Sequence, residues 1–120
     1  MGLDQYWFVK KPEIEEKDAE EEIAYHRKFN ALEGFMAQEA INLGIIDDSS
    51  EFNCVELPIT QEILDRLKET IDSGSLTPTP GFFFGPLEVR EEDVIYLKEV
   101  IELAERYLEE GVTVFYTSWW

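Results

Sequence analysis

Apolar positions along the chain switch between a period of two and a period near 3.6, and the switches delimit its elements. Residues 5–10 are dense in β-formers and predict a strand, closed by Lys11 and Pro12. From about 18 to 43, Tyr25, Phe29, Leu32, Met36, Ala40 and Leu43 fall three or four apart, which predicts one long helix stopped by Gly44. Ile23 and Ile41 lie on its other side with Arg27, Asn30, Gly34 and Gln38, so this helix is expected to be covered on two faces. Gly34 in its middle costs about 1 kcal/mol relative to Ala and points to a close backbone approach or a site.

Beyond a polar loop at 47–53, residues 54–57 predict a short strand ended by Pro58. Thr60 suits the N-cap of a second helix, 61–73, with Ile63, Leu64, Leu67 and Ile71 inward and Gly74 as its stop. A turn-rich stretch then delivers Phe82, Phe83 and Phe84, a run apolar enough to predict a buried strand. The third helix is expected over about 91–110, with Val94, Leu97, Ile101, Ala104 and Leu108 inward and Gly111 closing it. A last strand, 112–117, leads into Ser118, Trp119 and Trp120. Both terminal strands carry aromatics on alternate sides, so they belong inside one sheet rather than at a free edge. The expected fold class is α+β: about three helices packed on a small sheet of three to four strands, in a single domain over 1–120.

Charge narrows what such a domain can touch. The chain has 27 acidic residues against 10 basic ones, a formal net charge of −17. Nucleic acid is disfavoured as a direct ligand, because its binding depends on Lys and Arg neutralising phosphates. Anionic membrane surfaces are disfavoured for the same reason. A composition 44% hydrophobic and 13% aromatic places a real core beneath this coat. No apolar stretch approaches the ~18 residues of a membrane span, and no leader is visible, so a cytoplasmic protein is expected.

The inventory for chemistry is thin. Cys54 is the only cysteine and is expected to be a small buried apolar residue. His26 is the only histidine, which excludes metal sites built on several imidazoles. No Gly-rich phosphate loop or dinucleotide fingerprint is present. The expectation is therefore a non-enzymatic protein without metal or cofactor.

Binding remains. The acidic run containing Glu15, Asp18, Glu20, Glu21 and Glu22, read as the start of the long helix, is the expected surface for a partner protein that is itself basic. Glu91, Glu92 and Asp93, with Glu109 and Glu110, form secondary acidic groups. An alternative rests on His26, Arg27 and Lys28, the only run of three residues able to carry positive charge. With Tyr25 and Asn30 they would line a site for a small anion or nucleotide-type signal, which the protein would sequester. The competing reading is that Arg27 and Lys28 merely pair with Glu20, Glu21 or Glu39.

Several motifs occur together in one known group. Met1-Gly2-Leu3-Asp4 followed by an aromatic, the Tyr25-x-Arg27-Lys28-x-Asn30 pattern, Gly81 to Gly85 as GFFFG, and Ser118-Trp119 run in order over nearly the whole chain. This pattern resembles a family of small phage and prophage proteins. The resemblance implies phage origin and a small accessory protein acting inside an infected host; the acidic surface adds the expectation that it binds a host nucleic-acid-handling or defence protein. Nucleic-acid mimicry is one form such interference takes.

Self-repulsion at −17 yields a direct expectation. Screening reaches about 10 Å at 0.1 M salt, so the melting temperature should rise as NaCl goes from ~10 mM to ~150 mM. A melting temperature that falls over that range, followed by circular dichroism, would contradict a coat dominated by repulsion.

Overall fold

Alternation in the first strand sets the layering. In the computed structural model, which describes residues 3–10, 20–77 and 89–120 apart from the side chains of Glu20 and Ser49, β1 (Asp4–Lys10) buries Gln5, Trp7 and Val9. Asp4, Tyr6, Phe8 and Lys10 occupy its other face, each partly exposed. β1 pairs antiparallel with β2 (Glu20–Arg27) on one side and with β4 (Thr113–Trp119) on the other. β3 (Leu57–Ile59) pairs antiparallel with β4, giving the order β2-β1-β4-β3. The two terminal strands are thus the central pair, as their aromatic content suggested.

Three helices, α1 (Asn30–Asn42), α2 (Gln61–Asp72) and α3 (Glu91–Glu109), pack with this sheet around one core. The fold is α+β. Trp7, Val114, Tyr116 and Leu57 from the sheet meet Leu32, Met36, Leu64 and Ile101 from the helices, all fully or almost fully buried. α1 is buried around most of its circumference, including Asn30, Glu33 and Glu39, which fits a helix covered on two faces. Glu39 is held there by Arg66 of α2, whose Nε and Nη2 donate to its two oxygens at 2.9 and 2.6 Å. Such a two-point guanidinium–carboxylate pair compensates the burial of the charge. Among the described residues no helix is long and apolar enough to cross a membrane.

The long first helix is corrected by the structure. Residues Glu20–Arg27 form β2, and the helix starts only at Asn30. Ala24 and His26 turn into the core while Tyr25 and Arg27 remain exposed, a period of two that the helical spacing of Tyr25 and Phe29 conceals. Pairing with β1 decides the matter, since strand formation depends on cross-strand neighbours more than on intrinsic preference. Lys28 breaks the chain between strand and helix with a left-handed backbone, φ 57°, and its N–H donates to Leu3 O at 2.8 Å.

The strand expected at 54–57 is instead Leu57–Ile59, with exposed Pro58 at its centre. Proline is tolerated there because, among the described residues, β3 is an edge strand of the sheet. Cys54 is exposed, with φ 61°, rather than buried. Phe82, Phe83 and Phe84 lie outside the described residues.

The second and third helices match their expected extents within a residue. Thr60 Oγ1 accepts from the Ile63 N–H at 3.3 Å as the N-cap of α2. Gly74 ends that helix at φ 72°, with its N–H on Ile71 O and the Ser75 N–H on Thr70 O. Nothing lies within 4 Å of a Cβ placed there, so Gly74→Ala meets only the backbone penalty of a left-handed L-residue. It should lower unfolding stability in urea by about 1–2 kcal/mol; an unchanged midpoint would show that the helix end relaxes freely.

Candidate functional site

The outer face of the sheet is where this fold departs from an ordinary soluble surface. Strand register sets side chains in rows across it. Tyr25, Tyr6 and Thr117 form one row, and Glu22, Phe8, Phe115 and Pro58 the next. Tyr6 sits at the centre, with ring centroids 5.9 Å from Phe8, 5.3 Å from Tyr25 and 5.7 Å from Trp119. Trp119 remains 56% exposed and Tyr25 40% exposed. Aromatic rings combine large contact area with few rotatable bonds, so an exposed cluster of them is a typical anchor for another molecule.

Acidic residues frame this cluster. Tyr25 Oη donates to Asp4 Oδ1 at 2.5 Å, which fixes the ring and raises the tyrosine pKa. Ile23 is the extra residue of a bulge in the β1–β2 ladder, and the shift sets Glu22 opposite Phe8. Glu20 pairs in register with Lys10, whose Nζ lies 4.5 Å from the Phe115 ring centroid. β2 is the last strand on its side among the described residues, and exposed Glu21 and Glu22 protect such an edge from pairing with other chains.

Beneath the face, a buried polar network holds the strands in place. Gln5 Nε2 donates to Phe29 O at 3.0 Å and to Tyr116 Oη at 2.8 Å, while its Oε1 accepts from the Phe29 N–H at 2.8 Å. Tyr116 Oη donates to Glu33 Oε1, and Ser118 Oγ to Glu33 Oε2, each at 2.7 Å. Trp120 Nε1 donates to Glu33 Oε2 at 3.1 Å and to Phe52 O at 2.7 Å. Glu33 is fully buried, and burial pushes its carboxyl up to about 7 despite donors from Ser118, Tyr116 and Trp120. No buried side-chain nitrogen or oxygen among the described residues lacks a partner. Sequence reasoning missed Glu33 because a single Glu amid helix formers looks like a solvated position.

The residues singled out from sequence land in different places. Glu20, Glu21 and Glu22 stand on edge strand β2 rather than at a helix start, because the chain pairs with β1 there; Glu15 and Asp18 lie outside the described residues. Glu91 and Glu92 are exposed at one end of α3 and Glu109 and Glu110 at the other. A 19-residue helix separates those ends by about 28 Å, so they do not form one site. The expected ligand group divides three ways. Tyr25 joins the aromatic face, His26 and Asn30 enter the core, and Arg27 and Lys28 stay at the surface, now because β2 alternates and α1 begins after them. His26 Nε2 accepts from Trp7 Nε1 at 3.0 Å, and burial lowers its pKa to about 4. Asp47, Asp48 and Glu51 form a turn in which Glu51 Oε1 accepts the N–H groups of Asp47 and Asp48. No cluster suited to a metal ion occurs among the described residues.

Comparison with protein-family models, with curated proteins and with solved structures finds no match to this chain.

Glu33 and His26 should act on stability with opposite sign. From pH 4.5 to about 7 the folded chain keeps a Glu33 proton that the unfolded chain releases, so stability falls as pH rises. From 6.5 down to about 4 the unfolded chain takes up a His26 proton that the folded chain excludes, so stability falls as pH drops. Between 4.5 and 6.5 the two offset each other. Glu33→Gln should expose a stability that rises with pH there, and His26→Gln one that falls, each by about 1.4 kcal/mol per unit at most. Parallel pH slopes for wild type and both variants in urea unfolding would refute this balance.

Proposed function

We propose that this chain is a non-enzymatic accessory protein of phage origin, acting in the host cytoplasm by binding a host protein with a basic surface and interfering with it. The favoured class of target handles nucleic acid or serves defence. The observation that carries this reading is the meeting, on the same strands, of an exposed aromatic cluster with carboxylates. Tyr6, Tyr25 and Trp119 supply apolar anchors, Asp4 and Glu22 supply charge on the same face, and exposed Glu21 adds charge at the strand edge.

The physical division of labour is clear. A field from −17 net charge steers a cationic partner and raises association rates by roughly one to three orders of magnitude at low salt. The rings then set residence time, because buried aromatic anchors dominate interface energetics. Arg and Lys of a nucleic-acid-binding surface suit both parts, since they pair with carboxylates and stack on aromatic faces.

Affinity capture from host lysate at low and high salt tests the proposal, with the bound protein identified and then purified. Glu21→Lys with Glu22→Lys should weaken binding of that protein severalfold and flatten its salt dependence. Trp119→Ala should weaken it about tenfold or more. Full binding by both variants, or a captured partner whose surface is acidic, would reject this face as the site.

A further inference from the structure

The cations at the end of β2 acquire a third member from the far side of the chain. Arg27, Lys28 and Arg90 line one cavity of about 340 Å³, together with Asp93. Arg90 is the residue before α3, and Asp93 lies in the first turn of that helix. The chain has only 10 basic residues, so this one cavity gathers three of them.

Among the other described cations, Lys10 pairs with Glu56, Arg66 with Glu39, and Lys68 with Glu105 and Asp65, while Lys98 and Arg106 make no ion pair with a described residue. Among the described residues, Arg27, Lys28 and Arg90 make no ion pair within 4.0 Å. Glu39, one of the acids expected to neutralise Arg27 or Lys28, is committed to Arg66. In a chain with 27 acidic residues, these three cations converge on a cavity with Asp93 as the one carboxylate in its lining. Three cations and one carboxylate leave two positive charges in excess.

Backbone strain occurs at the same place. Lys28 holds φ 57°, a region that non-glycine residues rarely occupy and that clusters at functional sites. Its N–H is fastened to Leu3 O at 2.8 Å, so the conformation is tied to the residue preceding β1 rather than adopted freely. The cavity is small, at the low end of ligand sites, and two of its cations are exposed.

We propose that this cavity binds the phosphate group of a small phosphorylated molecule, of the kind carried by a mononucleotide. A dianion matches the two excess charges, whereas a lone carboxylate would need a single arginine. Two guanidinium groups supply fork-shaped donors to phosphate oxygens, and Lys28 adds a point charge. A nucleic-acid strand does not fit the same site, since its flanking phosphates would meet the acidic coat. The site shares no residue with the aromatic anchors and stands independently of the partner proposed for them.

Isothermal titration calorimetry with inorganic pyrophosphate and with AMP, on the full chain at low salt, tests this. Saturable one-to-one binding is expected, with a dissociation constant below about 1 mM. Arg27→Gln with Arg90→Gln should weaken it at least tenfold without moving the melting temperature. Lys28→Gly keeps the left-handed backbone while removing the charge, and should weaken binding severalfold while raising the melting temperature. AMP binding more tightly than pyrophosphate would support a nucleotide as the natural form, and equal affinity would support phosphate as the whole recognised group. Absence of heat with both probes, or unchanged affinity in a folded Arg27→Gln, Arg90→Gln variant, would overturn the proposal.

Discussion

Gln5 connects three elements with one amide. Through it β1 reaches the backbone of Phe29 before α1 and the hydroxyl of Tyr116 on β4, and that hydroxyl passes the link to Glu33 within α1. Each bond excludes water, so removing any member would leave a buried polar atom without a partner, at about 1–3 kcal/mol. An apolar core could be as stable, but it would not specify which helix turn faces which strand position. The network fixes that register, and with it the height of every ring on the opposite face of the sheet. Order on the outer face therefore depends on polar contacts made on the inner one.

Helices two and three were legible because their signals are local: an apolar stripe and a terminal glycine in each, and a threonine cap on the second. The β2–α1 boundary was not, because its stop signal is Lys28 in a conformation that composition associates with glycine, and its helix begins after Phe29 without a side-chain cap. The acidic run was legible as charge but misplaced in structure. Its carboxylates acquire meaning only from register, which sets Glu22 beside Phe8 across a bulge. Arg90 could not be grouped with Arg27 and Lys28 by spacing, since helix α3 has to return to the β2 edge before they meet.

One strand thus serves two surfaces of opposite character. β2 presents Tyr25 and the glutamates along its length, and its last residue, Arg27, opens the cationic cavity. Asp4 sits opposite Arg27 in the ladder and accepts from Tyr25, so a carboxylate separates the aromatic cluster from the positive site. Tyr96 of α3 completes the junction, with its ring 5.2 Å from that of His26. A change at this corner is transmitted to both surfaces through the same few side chains.

The central ladder joins the first strand to the last, with Gln5 and Tyr116 bonded across 111 positions of sequence. During synthesis neither Trp7 nor the Gln5 amide can find its permanent surroundings until β4 has left the ribosome. The nascent chain must therefore wait for β4, its aromatic first strand unpaired on that side, with a large loop to close. Over that interval the abundance of carboxylates has a use unrelated to any partner: it keeps unfinished copies of the chain from finding one another.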